Sequence, residues 1–156
     1  MKDSDRTTSQ EWANPGLARR LAAICYDSFL VAAVLLVAIA LVVVPLNLIY
    51  GGENFNAGDL RSNPFYIAYL FCVIAGFHIL FWIRGGQTLG MRSWRLRVLR
   101  ADGQGLRFKD ALLRYLAAML SLAALGLGFL WVLVDKDKLA WHDRISKTRL
   151  VLLTRQ

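Results

Sequence analysis

The chain has 156 residues, 56 % of them hydrophobic and 19 % charged, with 19 Lys and Arg against 11 Asp and Glu. One soluble domain of this length cannot bury so much apolar surface, and a cation excess in so apolar a chain points to a membrane. The hydrophobic content excludes disorder, and the two cysteines and the lack of an internal period exclude a disulfide scaffold and a solenoid.

Three windows hold the apolar residues: no charge falls between Ser28 and Gly52, between Ser62 and Ile83, or between Tyr115 and Val134. A spanning helix needs about 20 apolar residues to cross roughly 30 Å of hydrocarbon. The hydrophobic segments are therefore placed at about 21–46, 64–83 and 115–134. The leader Met1–Gly16 carries Asp3, Asp5 and Glu11, which speaks against a cleavable signal peptide. The expectation is an all-α integral membrane protein, a polar leader over 1–16 followed by a single membrane domain over 17–156.

All 19 cations lie outside the windows, eight of them between the second and third and six after the third. Positive loops stay in the cytoplasm. This predicts a multi-pass protein of a bacterial inner membrane with its N-terminus and basic segment 84–110 inside and the loop over 50–63 outside. Topology thus accounts for the charge, and no nucleic-acid partner is expected.

In chain order, the first helix should run from near Leu17 to about Val44, where Pro45 closes or disturbs it. The second should start at Pro64, capped by Ser62 or Asn63, and stop at Gly85-Gly86. Tyr50 and Tyr66 would mark the outer interface, Trp82 and Trp131 the inner one. Leu89–Arg95 reads as a short interfacial helix with Trp94 and Leu96 inward and Arg92 and Arg95 outward. Asp102-Gly103 reads as a hairpin turn, and TRLVLLT, residues 148–154, as a tail strand joining that hairpin. That pairing would keep the basic tail over 135–156 inside. The third segment must then turn back, at the two glycines of AALGLG (123–128), as short helices near Ala111–Leu122 and Phe129–Val134.

Asp27 lies about one and a half turns into the first helix. An intramembrane carboxylate needs a partner, and Arg20, on the same face, and Arg114 are the two candidates. The pair would be either a cation or proton site or a packing lock. His78, in mid-span, reads as a packing histidine, and Cys25 and Cys72 as small hydrophobes. His142-Asp143 is half a metal or base site without further ligands, so no metal, no cofactor and no enzymatic activity are expected. The small residues Ala117, Ser121, Ala124 and Gly128 would admit a close partner helix.

Three stretches in order, RRLAAICYD (19–27), GGQTLGMR followed by RLRVLRADG (85–103), and DKDKLAWHDRISKTRLVLL (135–153), resemble the RDD family of membrane proteins. The resemblance implies that Arg20, Asp27 and Asp143 are the residues for which the family is named. It adds Gly86, Gln87, Gly90, Arg92, His142 and Arg144 as motif positions. Met91 stands where many members carry Lys, and Arg95 where Gly is common, which argues against a tight turn there. Some members are linked to sodium–proton exchange and others to membrane-protein quality-control assemblies. The residues and the resemblance together leave two functions. One is monovalent cation/proton transport, as some members suggest, through Asp27 balanced by Arg20 or Arg114. The other is a non-catalytic module that organises partner membrane proteins, or copies of itself, and meets anionic lipid through Arg92, Arg95 and Arg97.

Overall fold

The computed structural model describes residues 14–51 and 56–153. Helix α1 spans Leu17–Tyr50, 34 residues or about 51 Å, which exceeds the thickness of a hydrocarbon core. Pro45 does not close it: the helix continues to Tyr50 and stops at Gly51, whose φ of 73° no helix can propagate. Proline is tolerated in the interior of membrane helices because its local cost is met by neighbouring groups. Phe29, Leu36 and Leu48 are mostly exposed, so in a membrane the solvent of this helix is lipid. Its buried residues Arg20, Ala23 and Asp27, three and four apart, form one stripe towards the rest of the molecule.

A 3-10 turn over Ala57–Ser62 leads into helix α2, Pro64–Gly85. The start is where local rules put it: Asn63 accepts from the Phe65 and Tyr66 amides, and Pro64 occupies the first turn. Gly86 caps the end at φ 69°, and a Cβ there would stand 2.6 Å from the Val98 carbonyl. The close approach is used, because Val98 N–H donates to Gly86 O at 2.7 Å. Gln87 adds a second tie, its amide nitrogen donating to Leu96 O at 2.6 Å.

Helix α3, Leu89–Ser93, is short and capped by Thr88. Leu96 is fully buried, while Arg92, Arg95 and Trp94 lie at the surface. A tight turn does come after α3, with Arg95 held at φ 55°. That is the backbone a glycine adopts most easily, so the departure from the family pattern strains the turn without abolishing it.

Strand β1, Leu96–Arg100, pairs antiparallel with β2, Thr148–Leu152, in the register Leu96↔Leu152 to Arg100↔Thr148. The sheet has these two strands, β2 coming from the tail. The Asp102-Gly103 turn forms, with Gly103 at φ 80°, but beyond it the chain enters helix α4, Phe108–Ala123, rather than a strand. Asp110 is the reason: its carboxylate accepts the Arg107 amide at 3.0 Å and closes the helix start.

Helix α4 breaks at Leu125 (φ 55°) and Gly126 (φ 77°). The chain bends by 107° into helix α5, Leu127–Leu130, and a 3-10 turn over Trp131–Leu133. Several amides at the break find partners within the chain: Gly126 N–H donates to Ser121 O, and the Phe129 and Leu130 amides donate to Gly126 O. Lipid could not have satisfied them. The 16 residues of α4 extend about 24 Å, less than a crossing. Helix α6, Trp141–Ile145, then packs back on α4 and leads into β2. Because β1 and β2 pair, the chain returns to the sheet it left, as a re-entrant segment does. Leu125, at the tip of the bend, is 92 % exposed. The small-residue stripe is used inside the chain: Ala117 and Ser121 are buried, and Gly128 lies so close that a Cβ would collide with Ser121 and press on Trp141 at 3.0 Å. It is covered by the chain's own α5 and α6 and offers no open seat for a partner helix.

Candidate functional site

Two carboxylates are buried beside α1. Asp143 is the charged centre. In α6 its own backbone position places the side chain over the helix start, where Oδ2 accepts the Ala140 amide at 3.0 Å. The same Oδ2 accepts from Arg20 Nη1 at 2.9 Å, and Oδ1 from Arg114 Nη1 at 2.5 Å. Arg20 reaches it from α1, its other nitrogens donating to Pro15 O and Lys138 O. Arg114 reaches it from α4 and also donates to Thr148 Oγ1 at 2.6 Å, at the start of β2. One carboxylate therefore joins α1, α4, α6 and the sheet. All three side chains are nearly inaccessible. Burial alone would push the Asp143 carboxyl up; the Arg114 and Arg20 guanidiniums and the Ala140 amide outweigh it and hold the group well below the usual carboxylate range.

Asp27 is placed differently. Thr88 Oγ1 donates to Oδ2 at 2.5 Å, and the Gly90 amide donates to Oδ1 at 2.9 Å. Thr88 at the same time accepts the Met91 amide, so the Asp27 carboxylate completes the cap of α3. A Cβ on Gly90 would collide with Ala23 O and lie 2.8 Å from the Asp27 carboxyl carbon, so only glycine lets α3 lie this close to α1. The expected pairing of Asp27 with Arg20 or Arg114 is corrected: among the described residues Asp27 has no cationic partner, and both arginines are on Asp143. Arg20 is seven residues from Asp27 on α1, about 10 Å by helical rise. That is too far for contact, whereas the fold brings Asp143 to it from the far end of the chain.

The other expected residues serve separate, local roles. His142 is buried against Phe129, with Nδ1 unpartnered and Nε2 3.7 Å from Asp143. Burial, then the Arg114 charge, pushes the imidazole down from 6.5 to about 3, with Asp143 pulling the other way. Among the described residues no group of three His, Cys, Asp or Glu gathers at one point. Arg144 faces outward and binds Asp135 at 2.6 Å and Asp137 at 3.1 Å. His78 bonds its own helix at Ile74 O (3.0 Å). Trp82 is not an interfacial residue: it is buried beneath the Arg114 guanidinium, 5.3 Å from the ring centroid. Trp131 and Tyr50 are exposed, as an interfacial position requires. Arg92, Arg95 and Arg97 are all exposed, and Cys25 and Cys72 are free thiols on exposed positions.

Two roles escape a reading of the sequence. Asp143 as the partner of both arginines is signalled only by its place three residues after Ala140, the spacing of a helix-start carboxylate. Thr88 carries the same kind of signal, three residues before an amide it caps.

No curated protein and no solved structure matches the chain. The model of the RDD family matches residues 14–147; this stretch contains Arg20, Asp27, Gly90 and Asp143, whose contacts join α1 to the rest of the molecule, and Gly86 and Gln87, which tie the end of α2 to β1. The protein is a multi-pass integral membrane protein and belongs to the RDD family.

Proposed function

We propose that this protein is a non-catalytic membrane module that organises other membrane components, either partner proteins or further copies of itself, and that its basic end rests on anionic lipid. The observation that carries this reading is the division of its charges. The buried arginines, Arg20 and Arg114, are closed on Asp143, while Arg84, Arg92, Arg95, Arg97, Arg107 and Lys109 remain exposed from the end of α2 to the start of α4. Cations at that end favour a cytoplasmic placement of this segment, with the N-terminus and, through the β1–β2 pairing, the tail on the same side of a bacterial inner membrane. Each exposed Lys or Arg near an anionic surface contributes about 1 kcal/mol. Native mass spectra should show anionic lipid retained by the protein and lost when Arg92, Arg95 and Arg97 are changed to Gln. Equal retention by the triple variant would contradict the reading.

A second reading, monovalent cation/proton exchange, is favoured by one observation. Asp27 is a buried carboxylate held only by a hydroxyl and an amide, so a proton or cation could take the counter-charge position. Protein reconstituted in vesicles with a pH-sensitive dye and an imposed sodium gradient separates the two. Proton flux abolished by Asp27→Asn supports exchange, and absence of flux alongside a working exchanger supports the module.

A further inference from the structure

The turn leaving β1 and the turn entering β2 lie side by side, joined by the Ala101 amide donating to Lys147 O at 3.0 Å. Between them is a cavity of about 350 Å³ whose lining includes Arg100, Asp102, Asp110, Lys147, Leu113 and Ile145. Its charges are balanced but separated by chain. From the β1–α4 side come two carboxylates and one guanidinium, Arg100 lying 3.3 Å from Asp102 and 3.4 Å from Asp110, which leaves that side one negative charge in excess. From the α6–β2 side comes Lys147, which has no ion pair among the described residues.

The apolar part of the cavity continues beyond it. Leu113 and Ile145 are each close to half exposed, and Leu116 and Leu120 come after Leu113 at helical spacing on α4 with 56 % and 61 % exposure. An exposed apolar track on a helix that enters the membrane is an acyl-chain surface, and here it runs directly into a niche with one ammonium and one surplus carboxylate.

We propose that this cavity holds the headgroup of a zwitterionic aminophospholipid, with its phosphodiester on Lys147, its primary ammonium on Asp102 and an acyl chain along Leu113, Leu116 and Leu120. The charge pattern selects this class. A primary ammonium donates hydrogen bonds to a carboxylate, whereas a quaternary choline has no N–H to give and a glycerol headgroup brings no cation to the acidic side. The site rests on immersion of the α4 face in lipid and not on the anionic-lipid contact of Arg92, Arg95 and Arg97.

The test is native mass spectrometry of the full chain in detergent with equimolar phosphatidylethanolamine, phosphatidylcholine and phosphatidylglycerol. Ethanolamine lipid should be retained over choline lipid by about fivefold, the factor that one exposed charge contact gives. Asp102→Asn keeps the turn, since an amide oxygen can still accept from the Gln104 amide as Oδ1 does at 3.0 Å, and should remove the discrimination. Lys147 sits at φ 52°, which asparagine tolerates, so Lys147→Asn should fold and retain less of both zwitterionic lipids. Equal retention of ethanolamine and choline lipid by the unaltered protein, or discrimination that survives Asp102→Asn, would overturn the proposal. Phosphatidylglycerol should depend on Arg92, Arg95 and Arg97 instead, so either lipid reading can fail without the other.

Discussion

Asp27 and Asp143 are both buried beside α1, yet the two regions hold their carboxylates by different means. Around Asp143 the partners are two full charges that arrive from α1 and α4. Around Asp27 they are a hydroxyl and a backbone amide from one short turn. The first arrangement works by charge: remove the carboxylate, and two guanidiniums are left buried without their counter-charge. The second works by fit, since α3 can approach only because Gly90 has no side chain. A buried acid in a membrane protein can thus be a charge hub or a helix cap, and depth alone does not distinguish them.

Asp143→Asn is expected to be the most damaging single change, lowering stability by about 3–5 kcal/mol because it strands both arginines. The melting temperature in detergent reads it, and a drop of the size seen for Asp27→Asn would erase the contrast between the regions.

Acid should attack the Asp143 region first. Unfolded His142 takes a proton near pH 6.5, while the buried imidazole stays neutral down to about 3. The unfolded chain therefore binds more protons in that window, and stability is lost as pH falls from about 6.5. Asp143, whose folded value is depressed, contributes stability that is present above the unfolded carboxylate value of about 4 and lost as pH falls through the folded one. Melting curves from about pH 7 to about pH 4.5 should fall for the unaltered chain and flatten in His142→Gln. The same slope in both would show that His142 is not the group responsible.

In the Asp27 region, Gly90→Ala should cost about 1–3 kcal/mol, as the new methyl group meets Ala23 O and the Asp27 carboxyl. Gly76, with nothing within 4 Å of its added Cβ, is the control and should tolerate alanine. Loss in both, or in neither, would remove the close approach of α3 from the account. Asp27→Asn should be the mildest, near 1 kcal/mol, because an amide oxygen can still accept the Gly90 amide and the Thr88 hydroxyl can rotate. A loss as large as that of Asp143→Asn would mean that Asp27 faces a charge.

The range of each interaction decides how much of the molecule is legible in its sequence. Asn63-Pro64 and Gly86 act within one helical turn, so the limits of α2 are legible. So is the need for the third segment to turn back, since the strand character of the tail and the glycines at 126 and 128 are local properties. The partner of Arg20 is not, because it lies 123 residues away. Spacing on one helix suggests Asp27, and a pattern of that kind reports which face a residue shares, not which residue the fold brings to that face. Pro45 misleads for the opposite reason, as a strong local signal that the membrane-helix context overrides. Trp82 reads as interfacial from its place at a helix end, but the guanidinium of Arg114 covers it.

The charge-hub account is tested most directly by adding Arg114→Gln to Asp143→Asn and comparing the melting temperatures of the two variants. If the loss in Asp143→Asn comes from stranded guanidiniums, removing one of them should recover stability, and the double variant should melt above the single one. A double variant that melts lower, by the sum of the two separate losses, would contradict it.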